Sequence, residues 1–255
     1  PSLKQVAYFE TSFHATIPEE RVTYGVPHEW KEQYGIRRYG FHGSSHSYIA
    51  MKMHELEPEA HRVISIHLGG SSSICAIKDG ESIASSMGAT PQSGLFHNNR
   101  VGDFDVFCIP ELVREYGSLD TVMKKLSKES GFLGLSGVSN DLRDVIDAGE
   151  KGDKNARLAV DAFCDNIVGY IGMFSAYLEG LDAIAFTGGI GQHSFKVRRA
   201  VLSRLGWLGV TTDPAEEERT EDGRISAEDS RVKVYVLKTN EELMVARKTV
   251  EFLEK

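Results

Sequence analysis

Between Val63 and Met87 the sequence VISIHLGGSSSICAIKDGESIASSM runs apolar, turns on glycine and serine, runs apolar again, turns at Asp79-Gly80 and runs a third time. Three strands joined by two turns are the reading this pattern supports, so a sheet must lie at the centre of the fold. The first turn, Gly69-Gly70-Ser71-Ser72-Ser73, joins two glycines, which let a backbone approach a ligand, to three hydroxyls, which supply donors. Such a turn suits a phosphate, and it equally suits a plain connection between core strands.

A second glycine cluster stands far downstream. The apolar run Ala183-Ile184-Ala185-Phe186-Thr187 opens into Gly188-Gly189-Ile190-Gly191 ahead of a helical stretch from Phe195 to Leu205. Strand, glycine turn and helix start form an arrangement in which free N–H groups and the helix dipole favour negative charge. The spacing is not that of the dinucleotide fingerprint G-x-G-x-x-G, and no G-x-x-x-x-G-K-[ST] occurs.

With 255 residues, 41% of them apolar and 26% charged, the chain has the composition of a globular protein and forms one large domain or two small ones. A net charge of -8 argues against a general binder of nucleic acid or of anionic membranes, so a basic site must be local. Cys75, Cys108 and Cys164 lie far apart without a C-x-x-C pair and read as buried small hydrophobes. No signal peptide and no membrane-spanning run is visible, which points to the cytoplasm. Beginning at Pro1, the chain reads as a piece of a longer protein.

Along the chain, Val6 to His14 is strand-like and carries Glu10, and Ile17 to Gly40 reads as surface loop with short helix. Helices are expected over His46–Glu57, Asp105–Tyr116 and Leu119–Glu129, the last capped by Ser118, with a break from Gly131 to Gly137. The longest should run from Asp153 to Gly180 with Leu158, Phe163, Ile167, Ile171, Phe174 and Leu178 as its core stripe. Thr212 to Asp229 is acidic and solvated, Val232 to Leu237 is a strand, and Glu241 to Leu253 is a helix capped by Thr239 or Asn240. The sum is an α/β fold, a mixed sheet flanked by helices.

Three constellations could carry chemistry. His42 and His46 are four apart, a spacing that could place two ligands for a metal, but the H-E-x-x-H glutamate is missing; a helix-entry histidine facing a ligand and a satisfied core histidine are the other readings. Arg100 with Asp103 and Asp105, and Asp141 with Arg143 and Asp144, combine cations and carboxylates after glycine-rich loops. Surface ion pairs and loop-borne site charges both fit them.

Taken in order, YFETSFHATIP, YGIRRYGFHGSSH, HLGGSSSICAIKDG, SSMGATPQSGL with NRVGDFD, SGVSNDLRDV, AFTGGIG and KTNEELMVAR resemble the carboxy-terminal part of an acetate kinase. That family of ATP:acyl-phosphate phosphotransferases includes propionate kinases. The resemblance implies a ribonuclease H-like lobe of the sugar kinase, Hsp70 and actin (ASKHA) architecture. It divides the chain into a remnant of an amino-terminal lobe (1–14), a nucleotide-binding lobe (15–240) and a terminal helix (241–255). It implies ATP and Mg²⁺ as cofactors, a short-chain carboxylate such as acetate or propionate as the small-molecule acceptor, and a homodimer, with no nucleic acid and no membrane as partners.

The same resemblance implies catalytic roles for Glu10, His42 and Arg100, the latter two stabilising the phosphoryl group in transfer. It places nucleotide contacts at His67, Leu68, Gly69, Gly70 and Ser71, at Asp141, Leu142 and Arg143, and at Gly189, Ile190, Gly191, Gln192 and His193, and gives Glu241 to Mg²⁺. Three positions depart from the pattern: Glu10 for an aspartate, Gly70-Ser71 for Asn-Gly and Gln192-His193 for Glu-Asn. With these departures, a nucleotide-binding module without turnover is the alternative to an active kinase, and the isolated piece is expected to be inactive. A hydrolase with a metal on His42 and His46 is the third reading.

Overall fold

The computed structural model describes residues 3–254; Pro1, Ser2 and Lys255, at the outer ends of the first and last expected segments, lie outside the described residues. The stretch that opens the sequence argument forms β1 (Arg62–Leu68), β2 (Ser72–Lys78) and β3 (Glu81–Ser85), an antiparallel meander. Asp79 and Gly80 turn between β2 and β3 with φ of 52° and 83°, the paired positive values that a two-residue hairpin demands. Downstream, β4 (Ala183–Thr187), β5 (Gly223–Arg224) and β6 (Lys233–Val236) complete a mixed sheet of order β3-β2-β1-β4-β6-β5 among the described residues. β1 and β4 run parallel, as do β4 and β6.

The central strands are apolar throughout because both faces are covered. One face carries Ile64, Ile66, Ile184 and Phe186, and the other Val63, Ala183, Ala185 and Tyr235, in the two-residue alternation of a strand. Ahead of the sheet come α1 (Glu19–Val22), α2 (His28–Tyr34) and α3 (Gly43–Leu56); α3 lays Ile49, Ala50 and Met53 on the second face. Between β3 and β4 lie α4 (Ile109–Tyr116), α5 (Leu119–Lys128), α6 (Gly131–Ser136), α7 (Leu142–Glu150) and α8 (Lys154–Tyr177). α8 presents Phe163, Ile167, Ile171 and Phe174 to the first face, each buried side chain contributing roughly 1.5–3 kcal/mol of transfer free energy. Asp153 starts it by accepting a hydrogen bond from Ala156 N at 2.9 Å. After β4 follow α9 (Gly188–His193) and α10 (Phe195–Leu202), and α11 (Glu241–Leu253) packs against α3. No helix among the described residues is long and apolar enough to cross a membrane.

Several sequence expectations are corrected. Val6 to His14 is not a strand: it enters a 3₁₀ turn over Ser12–Thr16 that swings His14 inward onto Ser82 Oγ and Phe41 O. The expected break at Gly131–Gly137 is α6, because Phe132 buries itself between Phe96 and Phe163 and tertiary contact overrides poor helix propensity. Leu158 is 59% exposed; the inner stripe of α8 runs through Ala156 and Ala159, which the turn of the helix places below Phe163. α10 ends at Leu202, short of Leu205, and α9 begins on the glycines themselves. Cys108 is exposed, whereas Cys75 and Cys164 are buried as expected. The acidic segment 212–229 is not wholly solvated, since it carries β5 and the buried Ile225 and Ser226.

Along the outer side of β3, Thr16 Oγ1 donates to Ser82 O, Arg21 to Ile83 O and Arg38 to Ser86 O, the last at 3.0 Å. These side chains take the carbonyls that no further strand receives.

Gly188 sits at φ 76°, and a Cβ there would come within 2.6 Å of Leu68 O, whereas nothing lies within 4 Å of a Cβ on Gly189. Gly188→Ala should therefore cost about 3 kcal/mol or more in unfolding free energy, and Gly189→Ala should change it by less than about 1 kcal/mol. Urea titrations of the two variants check the contrast, and equal stabilities would refute the close approach.

Candidate functional site

Because β1 and β4 are parallel neighbours, with His67 opposite Thr187, their carboxyl ends finish together and bring the two glycine turns side by side. Ligands gather at this end of open α/β sheets. The contact between Gly188 and Leu68 O is where the turns meet. A cavity of about 530 Å³ opens there. Gly69 and Gly70 form one wall, Gly189, Ile190 and His193 another, and Asp141, Leu142 and Arg143 at the start of α7 a third.

The three nucleotide segments suggested by sequence thus converge on one cavity, though not residue for residue. Leu68 is fully buried and offers only backbone. Gly191 packs beneath Phe186, and Gln192 turns its amide toward Thr220 O, so neither lines the cavity. Asp141 caps α7 by accepting from Arg143 N at 2.9 Å and also binds the Arg143 guanidinium, which holds its carboxyl down to about 2. This pair is the exposed ion pair of the plainer reading, and it stands at the cavity mouth. Asn98, Asn140 and Ser194, which no sequence expectation included, also line the cavity. Asn98 Nδ2 lies 3.5 Å from where a Cβ of Gly70 would be, so that glycine leaves room for a side chain from another segment. The run Asn98-Asn99 directly before Arg100 was the signal available.

A second group lies next to this cavity. His42 stands before α3 in the left-handed region, φ 55°, because Gly43 N donates to Glu10 O and holds the chain in a tight approach; a Cβ on Gly43 would fall 2.1 Å from that oxygen. The Glu10 carboxylate takes Ser44 N and Ser44 Oγ at the start of the same helix, where the dipole favours an anion. His42 Nδ1 is hydrogen-bonded with Ser73 Oγ at 2.8 Å, and the ring stacks on His67 with centroids 4.3 Å apart. Burial, then the charges of His97, His14 and Arg100, lower its pKa to about 4. His67 is lowered to about 3 by burial and then by His42.

Arg100 has no carboxylate partner among the described residues: its guanidinium donates to Ser71 Oγ and Pro91 O, each at 3.3 Å. It lies close enough to His42 and His97 to depress both. Asp103, one of the two carboxylates grouped with it in sequence, instead accepts from Gly94 N and Tyr170 Oη. An unpaired cation held by a hydroxyl of the Gly/Ser turn is free to meet an anion.

Glu241, at the start of α11, has its pKa raised by burial and then by the charge of Glu10. Glu241 and Glu10 thus lie within charge reach of each other, and carboxylates are the donors that a hard divalent cation such as Mg²⁺ takes, one or two at a time, alongside phosphates. The His42–His46 metal reading is overturned: His46 spends both ring nitrogens on Ser65 Oγ and Ser73 Oγ, leaving no lone pair for an ion. His46 is the satisfied core histidine.

The acetokinase family model matches residues 1–247. The chain is 48% identical to an acetate kinase of Dictyoglomus turgidum over 98% of its length and 63% of that protein, and 44% identical to one of Staphylococcus haemolyticus over 100% of its length and 65% of that protein. Among solved structures, Porphyromonas gingivalis acetate kinase superposes with a TM-score of 0.91 at 36% identity over 96% of this chain and 63% of that one. A propionate kinase from Francisella tularensis gives 0.88 at 36%, over 94% and 62%. The mixed sheet with its flanking helices is thus the ribonuclease H-like lobe expected of the ASKHA architecture. The chain spans less than two thirds of the length of each of these proteins.

The histidines give the site a stability signature. His14, His42, His46, His67 and His97 all have folded-state pKa values lowered from 6.5, with burial the first cause in each. Unfolded chains bind these protons first as pH falls, so the stability is intact above about 6.5 and is lost progressively toward about 4, each histidine adding up to about 1.4 kcal/mol per pH unit. Urea titrations from pH 7.5 to 4 should show this slope, and a flat profile between 6.5 and 5 would contradict the buried, neutral cluster.

Proposed function

The chain belongs to the acetokinase family, and from that premise we propose that its cleft takes ATP with Mg²⁺ and that the whole protein transfers the γ-phosphoryl group to a short-chain carboxylate, giving an acyl phosphate. The observation that carries this reading is the placement of Arg100, a cation without a carboxylate partner among the described residues, on Ser71 Oγ of the turn that also walls the cavity. Because the chain covers less than two thirds of its relatives, transfer is proposed of the whole protein.

In this reading the N–H groups of Gly70 and Gly189, the latter inside the first turn of α9, face the phosphates, while Gly69 N is held by Ser71 O and shapes the turn. A carboxylate oxygen of the acceptor forms a bond to the γ-phosphorus while the bond to the β,γ-bridging oxygen breaks, and ADP leaves. Arg100 and His42 offer positive and N–H donors to the equatorial oxygens, where charge builds in transfer. Glu10 and Glu241 would hold Mg²⁺, whose charge offsets that of the phosphates. Arg143, paired with Asp141 at the mouth, is suited to the nucleotide further from the reacting phosphorus.

Purified full-length protein should give hydroxamate-trapped acyl phosphate from ATP, Mg²⁺ and acetate or propionate. No product above blank with acetate, propionate or butyrate would leave binding without turnover as the reading. Arg100→Ala should lower kcat by about 10³-fold while changing ATP affinity far less, since its charge is needed chiefly in flight. An unchanged kcat would take Arg100 out of the reaction.

A further inference from the structure

A file of hydroxyls and imidazoles runs from the sheet interior to the cleft. Ser65 Oγ lies 2.8 Å from His46 Nδ1, His46 Nε2 lies 2.8 Å from Ser73 Oγ, and Ser73 Oγ lies 2.8 Å from His42 Nδ1. Ser65, Ser73 and His46 are fully buried, whereas His42 is half-buried and its Nε2 has no hydrogen-bond partner among the described residues and is not sealed from solvent. We propose that Ser65, His46 and Ser73 are positioning residues that fix the tautomer of His42, placing its ring proton on Nε2 so that it donates to a phosphoryl oxygen. This deepens the reading of His42 given above and rests on it.

The direction of the chain follows from counting protons. Each serine hydroxyl has one proton and each neutral imidazole one N–H. If Ser65 donates to His46 Nδ1, then His46 carries its proton on Nε2 and donates to Ser73 Oγ. Ser73 in turn donates to His42 Nδ1, and His42 keeps its proton on Nε2. Every buried proton then has an acceptor. In the reverse order His46 Nδ1–H points at Ser65 Oγ, and the Ser65 proton has no other acceptor, since among the described residues Ser65 Oγ contacts only His46. A buried hydroxyl proton without an acceptor is the costlier arrangement, so the interior selects the first order. The reverse order would also leave His42 with a bare lone pair at Nε2, which would repel a phosphoryl oxygen.

Two neighbouring rings bear on this logic. Phe41 O can only accept, so His14 must carry its proton on Nε2, leaving Nδ1 for the Ser82 hydroxyl. Among the described residues Ser45 Oγ, fully buried, contacts only the Nδ1 of His67 and therefore donates to it, giving His67, the ring on which His42 stacks, the same tautomer. Both stacked imidazoles thus present Nε2–H groups, His67 beside Gly69 of the Gly/Ser turn.

Long-range ¹H–¹⁵N NMR of the chain labelled on histidine reads the tautomers directly, with the His42 signals assigned by their loss in His42→Gln. Wild-type His42 should show a pyridine-like Nδ1 and a pyrrole-like Nε2, and Ser73→Ala should convert it to a tautomer mixture. A protonated Nδ1 in the wild type overturns the proposal, as does a His42 spectrum that Ser73→Ala leaves unchanged; the wild-type spectrum decides even if that variant fails to fold. In the full-length enzyme Ser73→Ala should lower kcat about ten- to a hundredfold with the KM for ATP changed less than about twofold, and Ser73→Thr, which keeps the hydroxyl, should restore most of it. Equal losses in both variants, or a loss confined to KM, overturn the positioning role. The spectrum needs no turnover, so it separates a failure of this proposal from a failure of the phosphotransfer reading, which the wild-type hydroxamate assay reports.

Discussion

The parallel pairing of Val63–His67 with Ala183–Thr187 is the constraint on which the molecule depends. It joins two segments more than a hundred residues apart, and loop closure over that distance must be offset by burial. The offset comes from strands that are apolar on both faces, clamped by α8 on one side and α3 on the other. Once the register is set, the geometry of the cleft follows. Both strands end at the same level, both open into glycine, and Gly188 packs on Leu68 O because no Cβ intervenes. A slip of one residue would turn the apolar side chains to the wrong faces and separate the turns.

What could be read beforehand was what local pattern encodes. The meander with its Asp79-Gly80 hairpin, α8 with its apolar period, and the glycine run after β4 announce themselves by period and turn chemistry. Whatever depends on distant partners did not. α6 is helical because Phe132 finds Phe96 and Phe163, and no propensity in Gly131–Ser136 foretells that. The course of Val6–His14 is decided by His14 reaching Ser82, 68 residues away. The site divides the same way. Gly69, Gly70 and the start of α7 were legible as motifs, but Asn98 lines the cavity only because its segment folds back over Gly70, and Ser73 looked like one of three equivalent serines. Gln192 stands next to His193, which lines the cavity, yet its own side chain turns to Thr220.

Arg198 shows how the same cleft is supported from behind. It is 1% exposed, yet no carboxylate meets it; the guanidinium donates to the carbonyls of Gly191, Gln192, Glu217 and Arg219. Burial lowers its pKa to about 10, which still leaves it charged at neutral pH. One side chain thus ties the end of α9 to the acidic segment, and the wall at Gly189 is held by a fork whose donors mostly find backbone partners. Buried charge is costly unless it is hydrogen-bonded, and here carbonyl dipoles solvate it without bringing a carboxylate in behind the cavity wall.

The sheet's two margins are treated differently. On one side β5 is only two residues long, too short to template another strand. On the other, Thr16, Arg21 and Arg38 reach across to the carbonyls of Ser82, Ile83 and Ser86. A strand from a second molecule would have to displace these donors, two of them cationic, before it could zip onto β3. The segment 12–38 therefore acts as a built-in stopper against self-association through the sheet, protecting the chain at high concentration during synthesis and refolding, when an open β-edge would recruit its own kind.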